Sequence, residues 1–177
     1  MAKGIKGKDK NLIIAAIFTF LVLVGVLAYF KSGLSLINLL VSENQSSQTK
    51  TFQSSDVMKF SIIVPVEYDV SEYLGSATVS AGDKGKILIG RSGTNFNNLN
   101  DYIDDLNIKN KVEVVDKRPL LINGNEASRQ KMINDNEKNR ITYFIYINSW
   151  VYSISTSSES LYDDLDRITQ SFRYTGD

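Results

Sequence analysis

Six aspartates in two short clusters are the side chains of this sequence best placed to bind a metal ion or to transfer protons. They are Asp101, Asp104, Asp105, Asp163, Asp164 and Asp166. Clustered carboxylates bind calcium or magnesium when they converge on one point. Neither cluster has the D-x-D-x-D-G spacing of a calcium loop, and consecutive residues of a helix diverge by about 100°. We therefore expect these acids to form the solvated faces of two helices, with no metal site and no cofactor.

Two residue types that most catalytic sites need do not occur, since the sequence has no histidine and no cysteine. Without cysteine there is no disulfide framework, no thiol nucleophile and no thiolate metal site. Without histidine the usual general base, the usual catalytic triad and the commonest transition-metal ligand are missing. Serines are abundant, but no histidine is available to activate one as a nucleophile. The composition therefore predicts no catalytic residue.

The elements that carry the two acidic clusters are predicted from apolar spacing. Leu99, Tyr102, Ile103 and Leu106 recur at helical intervals, which predicts an amphipathic helix over 97–108. A second stripe predicts a helix over about 159–173. Its members are Leu161, Leu165, Ile168 and Phe172, with Ser157 or Ser158 placed to cap the helix.

Alternating apolar residues bounded by turn residues predict strands before and between these helices. A two-residue turn at 148–149 would pair Ile147 with Trp150 and Tyr143 with Ile154. Both faces of that hairpin are apolar or aromatic, which is typical of strands covered on both sides. We therefore predict an α+β fold, an antiparallel β-sheet covered by helices on both faces (an α/β/α sandwich). The predicted strands are 58–65, 75–81, 85–91, 111–122 (broken at Pro119), 125–133, 140–147 and 150–156.

Residues 12–30, LIIAAIFTFLVLVGVLAYF, carry no charge. A helix of this length reaches roughly 28 Å, about the hydrocarbon thickness of a bilayer. A cleaved signal peptide is the alternative, but its shorter apolar core would end in small residues, where this one has Tyr29 and Phe30. A type IV pilin leader is disfavoured because residues 1–30 contain no glutamate. We predict one transmembrane helix in the plasma membrane, with basic residues 1–11 cytoplasmic and the C-terminal bulk outside.

Charge and composition divide the rest of the chain. Residues 1–31 carry five lysines and one acid, which leaves 15 basic and 19 acidic residues elsewhere, a net charge of −4. Such a domain does not suit a nucleic-acid phosphate surface. Residues 31–55 start apolar and become rich in Ser, Gln and Thr, which predicts a juxtamembrane segment and a flexible linker. Residues 56–177 are then long enough for one extracytoplasmic domain with a single core.

The order of these elements and their short motifs resembles the PsbP-like family. The motifs are the opening strand FSIIVP, the hairpin LLINGNEA, the strand WVYSISTSS and a helix ending ITQSF, covering roughly 58–174. The resemblance implies the PsbP-like fold and a non-enzymatic binding or scaffolding role for a membrane-anchored bacterial member. It does not imply a photosynthetic role, because no tryptophan follows Pro65 and no histidine is present for metal contacts.

We accordingly expect a single-pass, membrane-anchored protein that acts through a protein partner and is not an enzyme. A hydrolase that uses only carboxylates is one alternative, and it would need three or more acids converging in a pocket. A small-ligand-binding domain is the other, and it would need a large apolar cavity between sheet and helix. Trp150 could be an exposed binding anchor, but its place beside a hairpin turn favours a cap on the edge of the core.

Overall fold

The structure, a computed structural model, describes residues 48–133 and 139–176. The predicted transmembrane helix 12–30 lies outside these ranges, as does the linker up to residue 47, and the first strand forms from the remainder of that linker. Within the described ranges no helix has the length and apolar character needed to cross a bilayer. The elements are β1 (Thr49–Gln53), β2 (Phe60–Pro65), β3 (Asp69–Tyr73), β4 (Ser76–Ser80), β5 (Lys86–Gly93), α1 (Leu99–Asn110), β6 (Glu113–Ile122), β7 (Asn125–Ile133), β8 (Asn139–Ile147), β9 (Trp150–Thr156), α2 (Tyr162–Gln170) and β10 (Arg173–Tyr174).

The strands form two antiparallel sheets. The large sheet has seven strands in the order β3-β4-β5-β9-β8-β7-β6, and the small sheet has three in the order β1-β2-β10. The predicted pairing of Ile147 with Trp150 and of Tyr143 with Ile154 is confirmed. It holds because the turn at 148–149 contains two residues with positive φ, the geometry that joins neighbouring strands without splaying them.

Both predicted helices are present, with shifted ends. Asn98 caps α1 by accepting a hydrogen bond from the Asp101 amide, so the helix starts two residues later than the apolar pattern suggested. The second helix is shorter than predicted, because a 3₁₀ turn over Glu159–Leu161 precedes it. The side chain of Ser158 donates to the Lys84 carbonyl and does not cap that turn, so the predicted serine cap is wrong at this position.

The main core lies between one face of the large sheet and a layer made of the small sheet and α2. Phe60 from β2, together with Leu165 and Phe172 from the region of α2, packs against this face. The rings of Phe60 and Phe172 stack with centroids 5.7 Å apart, and Tyr152 lies 5.0 Å from Phe172. The side chains contributed by the centre of the large sheet are Ile87, Ile89, Tyr143, Ile145, Tyr152 and Ile154.

Among the residues that the structure describes, α1 covers part of the opposite face of the large sheet. Leu99 and Ile103 of this helix pack on Phe144 and Val151. Leu88 lies on the same face and is half exposed. The domain is therefore mostly β-sheet with two helices, and the predicted α/β/α sandwich is wrong. Both faces of the central hairpin are covered as its sequence indicates, but much of one cover is a second sheet rather than a helix.

Candidate functional site

The acidic cluster on α1 forms local surface pairs. Asp101 accepts from the side chain of the capping Asn98 at 2.7 Å. Asp104 lies 3.0 Å from the ammonium of Lys117, and Asp105 lies 2.7 Å from that of Lys109 one turn later. Exposed pairs of this kind contribute at most about 1 kcal/mol each. This cluster sits on the outer side of the helix, as expected from the sequence.

The cluster on α2 departs from the expectation, because Asp164 is 7% exposed while Asp163 is on the surface. The hydroxyl of buried Tyr68 donates to Asp164 at 2.5 Å, and the guanidinium of Arg167 pairs with the same carboxylate. The prediction of a wholly solvated acidic face is therefore wrong at Asp164. Burial and the neighbouring carboxylate raise the pKa of Tyr68 well above its usual range.

Asp166 is a second tie between α2 and the large sheet. It accepts from the hydroxyl of Tyr143 at 2.8 Å and lies 3.6 Å from Nε of Arg129. Burial, reinforced by this hydrogen bond, raises the pKa of Tyr143 to about 12. Asp164 and Asp166 thus anchor α2 to its neighbours, whereas Asp163 stays on the surface. In residues 48–133 and 139–176, no three acidic side chains come together in a group able to hold a metal ion.

A more prominent feature is an exposed, largely apolar patch around the turn between β3 and β4, which we call the hairpin surface. It comprises Val57, Tyr73, Leu74, Arg91 and Trp150. The exposed fractions of Val57, Tyr73 and Leu74 are 64%, 74% and 86%, and these three residues line one shallow groove. Single exposed apolar residues are ordinary, but contiguous ones mark interaction sites.

The base of the hairpin surface is held by specific contacts. The guanidinium of Arg91 lies 3.7 Å from the ring centroid of Trp150 and donates to the Val57 carbonyl, so these three residues are continuous. On the other side of the groove, the Ser55 amide donates to Glu72 at 2.9 Å and fixes the loop before β2 against β3. These contacts connect the loop before β2 to β3, β5 and β9 beneath the exposed side chains.

Trp150 has features of both roles considered from the sequence, a cap on the edge of the core and an exposed binding anchor. Its ring covers Gly93 and Arg91, yet the residue stays 38% exposed. The sequence did not predict strand β3, so it missed the hairpin and the apolar residues at its tip. The signal that could have found them is Leu74-Gly75, a turn-forming dipeptide in which a bulky apolar residue takes the place where asparagine is usual.

Comparison with known proteins identifies a fold and nothing finer. No protein-family model matches the chain, and no curated protein matches it in sequence. The solution structure of cyanobacterial PsbP (CyanoP) from Synechocystis sp. PCC 6803 superimposes with a TM-score of 0.51 at 9% identity, covering 74% of this chain and 95% of that one.

A second solved structure is protein of unknown function PA94 from Pseudomonas aeruginosa. It has a TM-score of 0.38 at 11% identity, with 64% of this chain and 86% of that one covered. That similarity is too low to support an inference. The superposition on cyanobacterial PsbP, at an identity where only folds can be compared, supports a PsbP-like fold for the described domain.

Proposed function

We propose that this chain is a single-pass, membrane-anchored bacterial protein with a PsbP-like extracytoplasmic domain that binds a protein partner without catalysis. The apolar stretch 12–30 and its basic flank support the anchor and its orientation. The lack of histidine and cysteine supports a binding role over an enzymatic one. The hairpin surface is the site where we expect the partner to dock.

The observation that carries this proposal is the conformation and exposure of Leu74. Its φ is 47°, in the left-handed region, where a non-glycine residue pays roughly 1–2 kcal/mol. The other two-residue turns of the large sheet place Asn123 and Asn148 at the equivalent position, which tolerates that geometry better. At 86% exposure the Leu74 side chain gains almost nothing from packing in return. A strained residue with no structural compensation indicates a functional contact.

The charge of the domain favours a protein over the other surfaces it could meet. The net charge of −4 on residues 32–177 opposes both nucleic acid and anionic lipid headgroups. A partner with an apolar pocket for Leu74, edged by polar groups facing Glu72, suits the groove. Aromatic and arginine side chains such as Trp150 and Arg91 are the types that dominate the binding energy of protein interfaces.

Photo-cross-linking from the hairpin tip in native membranes tests the proposal. A photoreactive leucine analogue at position 74 of the full chain should yield one reproducible adduct. Excess unlabelled full chain should abolish that adduct, and the Leu74→Asn chain should not. Leu121, a 69% exposed leucine on edge strand β6, provides the matched control position.

Equal adducts from positions 74 and 121, or equal competition by the Leu74→Asn chain, would overturn the docking site. We expect no adduct when the native membrane is replaced by protein-free lipid vesicles. An adduct with lipid alone would instead assign the surface to the bilayer. Orientation has its own measurement, because protease added outside intact cells should remove residues 56–177.

A further inference from the structure

A cleft of about 370 Å³ lies between the C-terminal half of α1 and the partly covered face of the large sheet. This volume falls within the range of about 300–1,000 Å³ typical of small-molecule pockets. Both the helix side and the sheet side of the cleft contribute apolar and polar side chains to its walls. The lining residues are Leu106, Asn107, Asn110, Val112, Met132, Arg140, Thr142, Phe144 and Ser153.

Unpaired buried donors distinguish this cleft from an ordinary packing gap. Thr142 lines it and is 2% exposed, and its hydroxyl has no hydrogen-bond partner in the described part of the chain. Gln130, opposite Thr142 on β7, is fully buried, and its Nε2 also finds no partner within residues 48–133 and 139–176. The only side-chain hydrogen bond of Gln130 among the described residues is a long one: its Oε1 accepts from Nδ2 of Asn107, a cleft residue, at 3.4 Å. Buried polar groups are almost always paired, so two neighbouring unpaired groups, one of which lies in the cavity wall, point to a missing ligand.

Arg140 supplies the positive charge. One of its guanidinium nitrogens, Nη2, donates to Ser155 at 2.7 Å, which holds the group on the cleft side of the sheet. Among residues 48–133 and 139–176, no carboxylate lies within ion-pair distance of Arg140. A guanidinium has five donors in a planar fork that fits a carboxylate.

The end of α1 does not oppose an anion here as strongly as a bare helix C-terminus would. The carbonyls of Asn107 and Ile108 accept from the Lys111 amide, and the Leu106 carbonyl accepts from the Asn110 side chain. With these carbonyls occupied, the partial negative charge that usually faces outward at a helix end is reduced.

We propose that this cleft binds a small carboxylate with an apolar body. Its carboxylate would accept from Arg140 and Thr142, and its body would lie against Met132 and Phe144. The predominance of apolar walls and the single guanidinium favour a monoanion over phosphate, because a dianion would remain half neutralised in an apolar surrounding. This site lies on the other face of the sheet from the core and is independent of the partner proposed for the hairpin surface.

Methionine methyl NMR on the full chain in nanodiscs tests the proposal with an internal control. The chain has three methionines; Met132 lines the cleft, whereas Met58 is fully buried in the core on the opposite face. Benzoate should shift the Met132 signal saturably and leave Met58 in place. Benzamide, the neutral analogue, and inorganic phosphate should leave both signals unchanged.

Variants connect the signal to the named donors. Arg140→Gln and Thr142→Val should each weaken benzoate binding about tenfold or more, the effect of losing one hydrogen bond to a charged group. Thr78→Val makes the same chemical change on β4, outside the cleft, and should leave the affinity unchanged. The Met58 signal reports whether each variant is folded.

Three results would overturn the site. One is a Met132 signal that does not move at benzoate concentrations up to about 10 mM, because a dissociation constant above that value is too weak for a physiological ligand. The second is an equal response to benzamide or phosphate. The third is unchanged benzoate affinity in Arg140→Gln with its Met58 signal intact.

Discussion

Replacing Asp164 by alanine should destabilise the domain far more than the same change at Asp163, its neighbour in the same helical turn. Asp164 is buried and accepts the hydroxyl of Tyr68, a residue only 2% exposed. Removing the carboxylate leaves the hydrogen of that buried hydroxyl without an acceptor, which costs about 1–3 kcal/mol, and also removes a charge-assisted hydrogen bond. We expect a loss of about 3 kcal/mol for Asp164→Ala and at most about 1 kcal/mol for Asp163→Ala. The helix-dipole contribution of both acids is similar, so the difference isolates the buried contact.

The assay is urea unfolding of the full chain in mild detergent, followed by the fluorescence of Trp150, the only tryptophan in the sequence. A double-mutant cycle with Tyr68→Phe measures the interaction energy between Tyr68 and Asp164 apart from the other effects of each substitution. The coupling energy between the two substitutions should be about 1–3 kcal/mol. Equal losses of unfolding free energy for Asp163→Ala and Asp164→Ala, or a coupling energy near zero, would refute the reasoning. Either result would mean that Asp164 behaves as a solvated surface acid.

Three other outcomes follow from the structure. Phe172→Ala should cost about 3–5 kcal/mol in the same unfolding assay, because it opens a cavity beside Tyr152 in the main core; a cost below about 1 kcal/mol would contradict that packing. Burial raises the pKa values of Tyr143 and Tyr152 from 10.0 to about 12 in the folded domain. The unfolded chain therefore loses these protons at lower pH than the folded chain does. The stability that the protonated tyrosines contribute is complete below about pH 10 and should fall as the pH rises toward 12. The urea midpoint measured across that window should fall less steeply in Tyr143→Phe, and an identical slope would count against the assignment. Leu74→Asn should raise the free energy of unfolding by about 0.5–1 kcal/mol, since asparagine tolerates the left-handed turn, and a decrease would show that Leu74 packs in the free protein.

The hairpin of β8 and β9 and the helix α1 could be predicted from the sequence because local pattern determines them. In β8 and β9 the period of two and the turn at 148–149 fix the register, which the structure confirms. In α1 the spacing of Leu99 and Ile103 selects the face that packs on the sheet. These are the places where burial, periodicity and turn chemistry agree.

Strands β1, β3 and β10 could not be predicted, because their sequences are polar and short and their pairing depends on distant partners. DVSEY in β3 has one aliphatic side chain, and its strand conformation follows from pairing with β4. The two residues of β10 become a strand only through β2, more than a hundred positions earlier. Propensity is weak in such segments, and tertiary context decides.

The burial of Asp164 is similarly beyond local reasoning. Its partner Tyr68 is 96 positions away in the chain, in a loop whose place over α2 depends on the whole small sheet. From helical periodicity alone, Asp164 and Asp163 are equivalent surface acids. The hairpin surface escaped prediction for a different reason, since an exposed leucine in a turn contradicts the rules by which turns are recognised.

The pairing of β10 with β2 has a consequence for how the domain is made. Phe172 stacks on Phe60, and the Thr175 amide donates to the Lys59 carbonyl at 3.0 Å, so the first and last parts of the domain close one layer together. A chain delivered N-terminus first must wait for residues 172–175 before that layer can form, whatever has folded already. A chain stopped short of Phe172 would leave Phe60 and Tyr152 facing water, a form that proteases remove. Closure by β10 thus makes folding of the small sheet depend on residues 172–175, so chains that lack them should be degraded faster than chains that contain them.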